Sequence, residues 1–332
     1  FAFAGRLGTG ALADRTRAYW PLTLAGYALT VAAVPLLGFA TALWLAAGLV
    51  IAERAGKAVR SPAKDVLLSH AAGAVGRGRG FAVHEALDQI GALLGPLAVA
   101  GTLVLSGGDY RPAFWMLALP GVAVLVLLVR LRTRAPDPGR YEAAPTTSGE
   151  RVPLPRAFWG YLAFTVLTTL GYATFGVLSF HLADQRLVPT AVIPVIYAAA
   201  MIVDAAAAVA TGWLYDHVGR RSLLAVPILS AAIPPLAFQH DVGLAVTGIL
   251  LWGVVLGIQE STMRAAVADL VPTHRRGTAY GIFAAGFGAA TLVGSTLVGA
   301  LYTHSLTATI AVVAAVQAAA LLLFLVQRAG AR

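Results

Sequence analysis

The chain has 332 residues, of which 58% are hydrophobic and only 12% charged, and its mean hydropathy is +0.78. Soluble domains run nearer to about 45–50% apolar and about 25% charged, so these proportions exclude a soluble globular protein and imply a polytopic membrane one. The net charge of +9 does not point to nucleic acid, because the basic residues follow the membrane topology traced below, and the absence of cysteine excludes disulfides and thiolate metal sites.

Between Phe1 and the polar turn at Asp14 there are too few residues, at about 1.5 Å rise each, to cross a roughly 30 Å hydrocarbon core. The sequence therefore reads as opening inside a helix, with an earlier segment expected ahead of it, and no signal peptide is assigned. Apolar runs then predict ten spans: Trp20–Phe39, Leu43–Val59, Phe81–Leu105, Pro112–Val129, Ala157–Phe180, Thr190–Leu214, Leu223–Phe238, Val242–Ser261, Thr278–Leu301 and Ala308–Val326. One long polar stretch rich in Pro, Gly, Ser and Thr, from Thr133 to Pro155, interrupts them. The expected organisation is an N-terminal helical half over 1–132, a cytoplasmic linker over 133–156 and a C-terminal helical half over 157–332. With the Asp14 turn inside and the spans alternating, only Arg111 and Arg186 among the Lys and Arg residues fall outside. The middle connection concentrates Arg130, Arg132, Arg134, Arg140, Arg151 and Arg156 on the inner face. A multi-pass protein of the cell (inner) membrane is expected, with linker and C-terminus cytoplasmic.

A short polar sequence occurs twice. It reads Gly10-Ala-Leu-Ala-Asp14-Arg15-Thr-Arg17 and again Gly212-Trp-Leu-Tyr-Asp216-His217-Val-Gly219-Arg220-Arg221. Two further landmarks repeat in the same order: Arg60-x-x-x-x-Asp65 against Arg264-x-x-x-x-Asp269, and Arg79-Gly80 against Arg276-Gly277. Repeated halves are the mark of many secondary transporters.

These landmarks resemble the major facilitator superfamily, whose Gly-x-x-x-Asp-(Arg/Lys)-x-Gly-(Arg/Lys)-(Arg/Lys) signature joins the second helix to the third and recurs, weaker, between the eighth and ninth. The similarity covers essentially the whole chain. It implies an all-α membrane fold of two pseudo-symmetric six-helix halves, with the first helix and part of the second missing. The first copy has Arg17 where Gly is usual and the second has His217 where Arg or Lys is usual. The strings Arg54-Ala-Gly56-Lys57-Ala-Val-Arg60-Ser-Pro62-Ala-Lys64-Asp65 and Gln259-Glu260-Ser-Thr-Met-Arg264-Ala-Ala-Val-Ala-Asp269 look like a prokaryotic subgroup of unknown substrate. In this family the halves rock about a central cavity and the loop motif locks one state. The resemblance thus implies a gate built on Gly10, Asp14, Arg15, Arg17, Arg60, Gly212, Asp216, Gly219, Arg220 and Arg221, with Asp14 bonding across the half interface or near Arg60. The competing reading of these turns is a solvated loop that obeys the positive-inside rule.

Charges inside spans cost at least about 2.5–3.5 kcal/mol each at the bilayer centre, and so demand partners or a wet cavity. Asp204 lies twelve residues before Asp216, about 18 Å along a helix, which puts it near the middle of the core. Tyr197 shares its face. Asp204 is either a structural hydrogen-bonding group or a cavity carboxylate that takes up a proton or binds a cationic group. Arg54 and Lys57 with Glu53 in one span, and His84, Glu85 and Asp88 in the next, offer opposite charges at similar depth. They read either as an ion-pair network or as a site for an anionic solute or a proton relay, with His84 a shuttle. Glu260 and Arg264 are spaced to pair with each other. Gly91-x-x-x-Gly95-Pro96 resembles the fifth-helix element of family antiporters, against a tight-packing alternative. Tyr172, Phe175, Trp252, Tyr280, Phe283 and Phe287 divide between lining a site for an apolar solute and packing.

No Walker-type phosphate loop, His-Glu-x-x-His zinc motif or Gly-x-Ser-x-Gly elbow occurs. No cofactor, metal or catalytic residue is expected, and the protein is not expected to be an enzyme. The expected function is secondary transport of a small organic solute, with protons as coupling ion, efflux favoured slightly over uptake, and a monomer in the lipid bilayer. The alternatives are a transporter-like sensor or receptor, or a membrane enzyme using His84, Glu85 and Asp88.

Overall fold

Inside a bilayer every backbone N–H and C=O must find a partner within the protein, so long Ala-, Leu- and Val-rich runs close on themselves as helices. The computed structural model describes residues 2–137 and 153–329, with side chains from 4 to 137 and 153 to 327. Among the described residues there is no strand. The helices are α1 (Ala2–Thr16), α2 (Tyr19–Leu36), α3 (Leu43–Gly73), α4 (Arg77–Leu105), α5 (Tyr110–Met116), α6 (Ala118–Arg134) and α7 (Arg156–Leu170). They continue with α8 (Phe175–Asp184), α9 (Ile193–Val218), α10 (Ala225–Ala237), α11 (Val242–Gly257), α12 (Met263–Leu270), α13 (Arg276–His304) and α14 (Leu306–Ala329). Most of the expected linker, residues 138–152 with Arg140 and Arg151, lies outside the described residues.

Eight helical stretches among the described residues are long and apolar enough to cross a membrane, against ten expected spans. Two physical reasons account for the difference. Thr190–Ala237 is one apolar stretch of 48 residues that folds as two helices, α9 and α10. The expected Leu43–Val59 span is part of a 31-residue helix whose Glu53, Arg54, Lys57 and Arg60 lower its hydropathy. The expected Ala157–Phe180 span is not one helix either: α7 stops at Leu170 and α8 starts at Phe175.

Two compact units arise, each drawing on both halves of the sequence. The first gathers the described residues within Phe1–Ala74, Gly91–Arg151 and Pro272–Ala285, and the second those within Val75–Ile90, Val152–Val271 and Gly286–Arg332. The boundaries fall inside α4 and α13.

In the first unit α2 and α3 approach at Gly26 and Gly56, where a Cβ on Gly56 would stand 2.7 Å from the Gly26 carbonyl oxygen. That contact brings Arg60 over the Tyr27 ring, 4.0 Å from its centroid. The Thr9 hydroxyl donates to the Ala58 carbonyl at 2.9 Å and the Trp20 indole N–H to the Ala135 carbonyl at 3.0 Å, tying α1 and α6 to the same core.

In the second unit α9 and α11 run side by side in the same direction. Tyr197 lies beside Trp252, Ala200 against Gly253 and Asp204 against Gly257, and the Thr262 hydroxyl donates to the Thr211 hydroxyl at 3.2 Å. Small residues at these levels let the backbones approach closely, as membrane helix pairs require. α7 and α14 are joined by a buried polar clasp. The Thr168 hydroxyl donates to Gln317 Oε1 at 2.7 Å while Gln317 Nε2 donates to the Thr168 carbonyl at 2.8 Å. Phe164 and Phe324 pack below it at 4.9 Å.

Candidate functional site

The repeated Asp turns do the same chemical work in the two units. Asp14, near the end of α1, accepts backbone N–H bonds from Gly277 at 2.8 Å and Thr278 at 2.6 Å, in the first turn of α13. The Tyr19 hydroxyl adds a bond at 3.3 Å. Asp216, near the end of α9, accepts from the Gly78 N–H at 2.7 Å and the Arg79 N–H at 3.0 Å, in the first turn of α4. Arg79 Nε stands 3.6 Å from its other oxygen. A helix start leaves N–H groups unpaired and carries the positive end of the dipole, so a carboxylate is the natural cap. Each cap joins one half of the sequence to the other.

Glycines make the caps possible. A Cβ on Gly78 would run into the Gly212 carbonyl oxygen and stand 2.9 Å from Asp216 Oδ1, and one on Gly277 would stand 2.5 Å from Asp14 Oδ1 and 2.8 Å from the Gly10 carbonyl oxygen. The repeat therefore matches Gly78 to Gly277. The expected match of Arg79-Gly80 to Arg276-Gly277 is out of step by two residues, because the dipeptide was matched by spelling and the cap by backbone position. The turns themselves share a left-handed residue: Gly219 has φ 63° and Arg17, where the pattern has Gly, φ 53°. Beside the second cap, Asp269 accepts a hydrogen bond from the Tyr215 hydroxyl and pairs with Arg77. In the other unit the buried Arg276 donates to Ser69 Oγ at 3.3 Å.

The second unit also holds an acidic centre. From the Gly78–Gly212 crossing, α4 runs onward while α9 runs back, and seven or eight residues along each, roughly 11 Å, stand Glu85 and Asp204. Glu85 is 1% exposed and Asp204 0%. Gln89 Nε2 donates to Glu85 Oε1 at 2.8 Å. Arg264 lies between carboxylates, its Nη2 at 3.1 Å from Glu260 Oε2 and its Nη1 at 4.0 Å from Glu85 Oε2. Asp204 lies within electrostatic reach of Glu85, Glu260 and Asp88. Neither Asp204 oxygen has a hydrogen-bond partner among the described residues, nor does the amide of the equally buried Gln259.

The backbone opposite Asp204 is irregular. Ile258–Thr262 forms a π turn, in which the Met263 N–H donates to the Ile258 carbonyl five residues back. Such a turn inserts a residue into a helix and is found frequently at functional sites. It starts directly after Gly257, whose Cβ would stand 2.9 Å from Asp204 Oδ1.

The sequence profile of the Major Facilitator Superfamily matches residues 1–238 and 160–332. The chain belongs to the major facilitator superfamily. It is 54% identical to an uncharacterized protein of Mycobacterium tuberculosis over 323 residues, covering 96% of this chain and 79% of the relative. It is 24% identical to an uncharacterized MFS-type transporter of Methanocaldococcus jannaschii over 303 residues, covering 88% and 74%. Among solved structures, the human organic anion transporter MFSD10 superposes with a TM-score of 0.76 at 15% identity, covering 97% of this chain and 80% of that one. The fucose:proton symporter of E. coli superposes at 0.69 with 14% identity, covering 98% and 88%. The chain is thus a multi-pass membrane protein of a transporter family, and not an enzyme.

Within this facilitator fold the remaining candidates fall as follows. Asp14 finds its partners on α13 and not at Arg60, which is engaged with Tyr27. Arg15, Arg17, Arg220 and Arg221 are exposed. Glu53 pairs with Lys57 at 2.8 Å and Arg54 at 3.5 Å within α3, whereas Glu85 finds Arg264. His84 is half-buried and Asp88 exposed. A Cβ at Gly91 or Gly95 would meet no atom of the described residues within 4 Å. Sequence reasoning passed over Gln259, the π turn and Gly78. The dense Gly76-Arg77-Gly78-Arg79-Gly80 string was the available signal for the last.

Proposed function

We propose that the protein is a secondary transporter that moves a small organic solute by alternating access, with protons as the coupling ion and efflux slightly favoured over uptake. The observation that carries the proposal is Asp204: a carboxyl group closed off from solvent, without a hydrogen-bond partner on either oxygen among the described residues, and surrounded by other acids. An acid in such a place is costly to keep inside a membrane and marks proton and solute paths. Proton exchange there, with Glu85 and Glu260 sharing Arg264, changes the charge of the centre. Rocking then makes and breaks the caps at Asp14 and Asp216, the remaining gate residues lining the same turns. Tyr197, Arg54, Lys57, His84 and Asp88 are the further candidates for solute or proton contact. The 1–132 and 157–332 halves are the rocking bodies, in the inner membrane with linker and C-terminus cytoplasmic, and the working unit is a monomer.

The test is accumulation of radiolabelled organic cations, anions and neutral solutes by proteoliposomes under an imposed pH gradient. The proposal predicts uphill movement of one class that a protonophore collapses. Movement of every class that ignores the pH gradient contradicts proton coupling.

A further inference from the structure

Four aromatic rings meet one to two turns of helix away from Asp204, and the function proposed above names only one of them, Tyr197, without assigning it a ligand. Tyr172 comes from the break between α7 and α8, Phe175 from the first residue of α8, Tyr197 from α9 and Trp252 from α11. Tyr172 and Trp252 are stacked at 6.1 Å with 9° between their planes. Phe175 stands 5.6 Å from Trp252 and 4.7 Å from Tyr197, and Tyr197 closes the ring 6.4 Å from Trp252.

The polar atoms of the two buried rings are already used. The Tyr172 hydroxyl donates to the Trp252 carbonyl at 2.8 Å and the Trp252 indole N–H donates to the Ala173 carbonyl at 2.9 Å. This pair of bonds fixes the broken α7–α8 backbone against α11 and leaves Tyr172 and Trp252 only their π surfaces to offer. Phe175 is half-buried and Tyr197 is 37% exposed, so the group is open on their side. Broken helices at mid-membrane are where transporters of several folds bind solutes.

The electrostatic setting selects the sign of a ligand. Asp204 and Glu260 both act on the Tyr172 and Tyr197 hydroxyls, and Asp204 lies on the Tyr197 face of α9, two turns on. Ring faces carry the negative part of the aromatic quadrupole, and cages of such rings recognise quaternary ammonium groups. An anion here would meet ring faces and carboxylates, while Arg264 of the acidic centre is already held at 3.1 Å by Glu260. A neutral polar solute would find no donor on Tyr172 or Trp252.

We infer that Tyr172, Phe175, Tyr197 and Trp252 form an aromatic cage for an organic cation, a quaternary ammonium or its equivalent with an apolar substituent, with Asp204 as its counter-charge. The inference rests on the transport reading for its purpose, but its test is equilibrium binding and needs no flux. Benzyltrimethylammonium, its uncharged carbon isostere neopentylbenzene, and phenylacetate are titrated into the purified protein by calorimetry at one pH. The cage predicts saturable binding of the cation, at least about fivefold tighter than either analogue, since a desolvated cation–π contact of about 1–2 kcal/mol corresponds to roughly five- to thirtyfold. Tyr197→Leu, at an exposed ring that leaves the core packing in place, is expected to weaken the cation about fivefold or more, and Tyr197→Phe to restore it within about twofold. Asp204→Asn is expected to weaken it about tenfold, as loss of a counter-charge two turns of helix away in a poorly solvated setting.

Equal binding of the isostere, absence of cation binding, or an unchanged affinity in Tyr197→Leu each overturn the cage. Failure of the transport reading looks different. A protein that binds the cation selectively yet moves no solute under any gradient keeps the cage and loses transport, and one that accumulates only anions keeps transport and loses the cage.

Discussion

Replacing Asp216 by Ala removes two charge-assisted bonds, at 2.7 Å and 3.0 Å, from the first turn of α4. It leaves the Gly78 and Arg79 N–H groups without the carboxylate that caps them. Removing an N-cap costs about 0.5–2 kcal/mol, and a hydrogen bond to a charged group is worth about 1.5–3 kcal/mol. The Asp216 side chain is 13% exposed, so water compensates in part, and we take about 2 kcal/mol as the net loss, roughly a thirtyfold change in a local opening equilibrium. Hydrogen–deuterium exchange followed by mass spectrometry reads this directly. Exchange over residues 75–90 is expected to rise about thirtyfold in Asp216→Ala, while residues 272–285, capped by Asp14, stay at the wild-type rate. Asp14→Ala is expected to do the reverse. Unchanged exchange in the segment facing the removed acid, or equal rises in both segments for either variant, would refute the cap as the anchor of these helix starts.

Further expectations concern the same turns and crossings. Arg17→Gly relieves a left-handed residue that costs about 1–2 kcal/mol, less the greater unfolded-state entropy of Gly, about 0.5–1 kcal/mol. The net gain of about 0.5–1 kcal/mol is checked as a higher thermal midpoint in detergent, and a lower midpoint would contradict the backbone assignment. Gly212→Ala overpacks the crossing with Gly78 and Ala82 and is expected to cost about 1–3 kcal/mol. Gly91→Ala, in open space, is expected to leave the midpoint unchanged or raised, because Ala is the better helix former. Gln317→Leu breaks the buried clasp with Thr168 and is expected to lower the midpoint by the equivalent of about 0.5–2 kcal/mol; no change would remove the clasp from the stability of the second unit.

Some of this arrangement was legible in the sequence for clear reasons. The two Asp turns carry their signal in residue identity, and a helix start that needs a carboxylate cap leaves Asp and Gly in fixed places. The spacing of Asp204 and Asp216 along one helix, α9, was likewise readable by counting residues. What the sequence hides is azimuth and register. From counting along the spans Glu85 is expected to face Arg54 and Lys57, but counting does not say which way a side chain points, and its cation is Arg264, far away in the chain. The π turn at Ile258–Thr262 changes the bonding by one residue and leaves no compositional trace. The aromatic group was visible only as separate rings, because Tyr172, Phe175 and Trp252 come from three elements whose meeting depends on the break after Leu170.

The most direct measurement separates solute movement from proton coupling at one residue. In proteoliposomes, Asp204→Asn is expected to retain exchange of labelled for unlabelled solute across the membrane while losing accumulation driven by a pH gradient, because the amide cannot carry the proton. Gradient-driven accumulation at the wild-type level in Asp204→Asn would contradict the account.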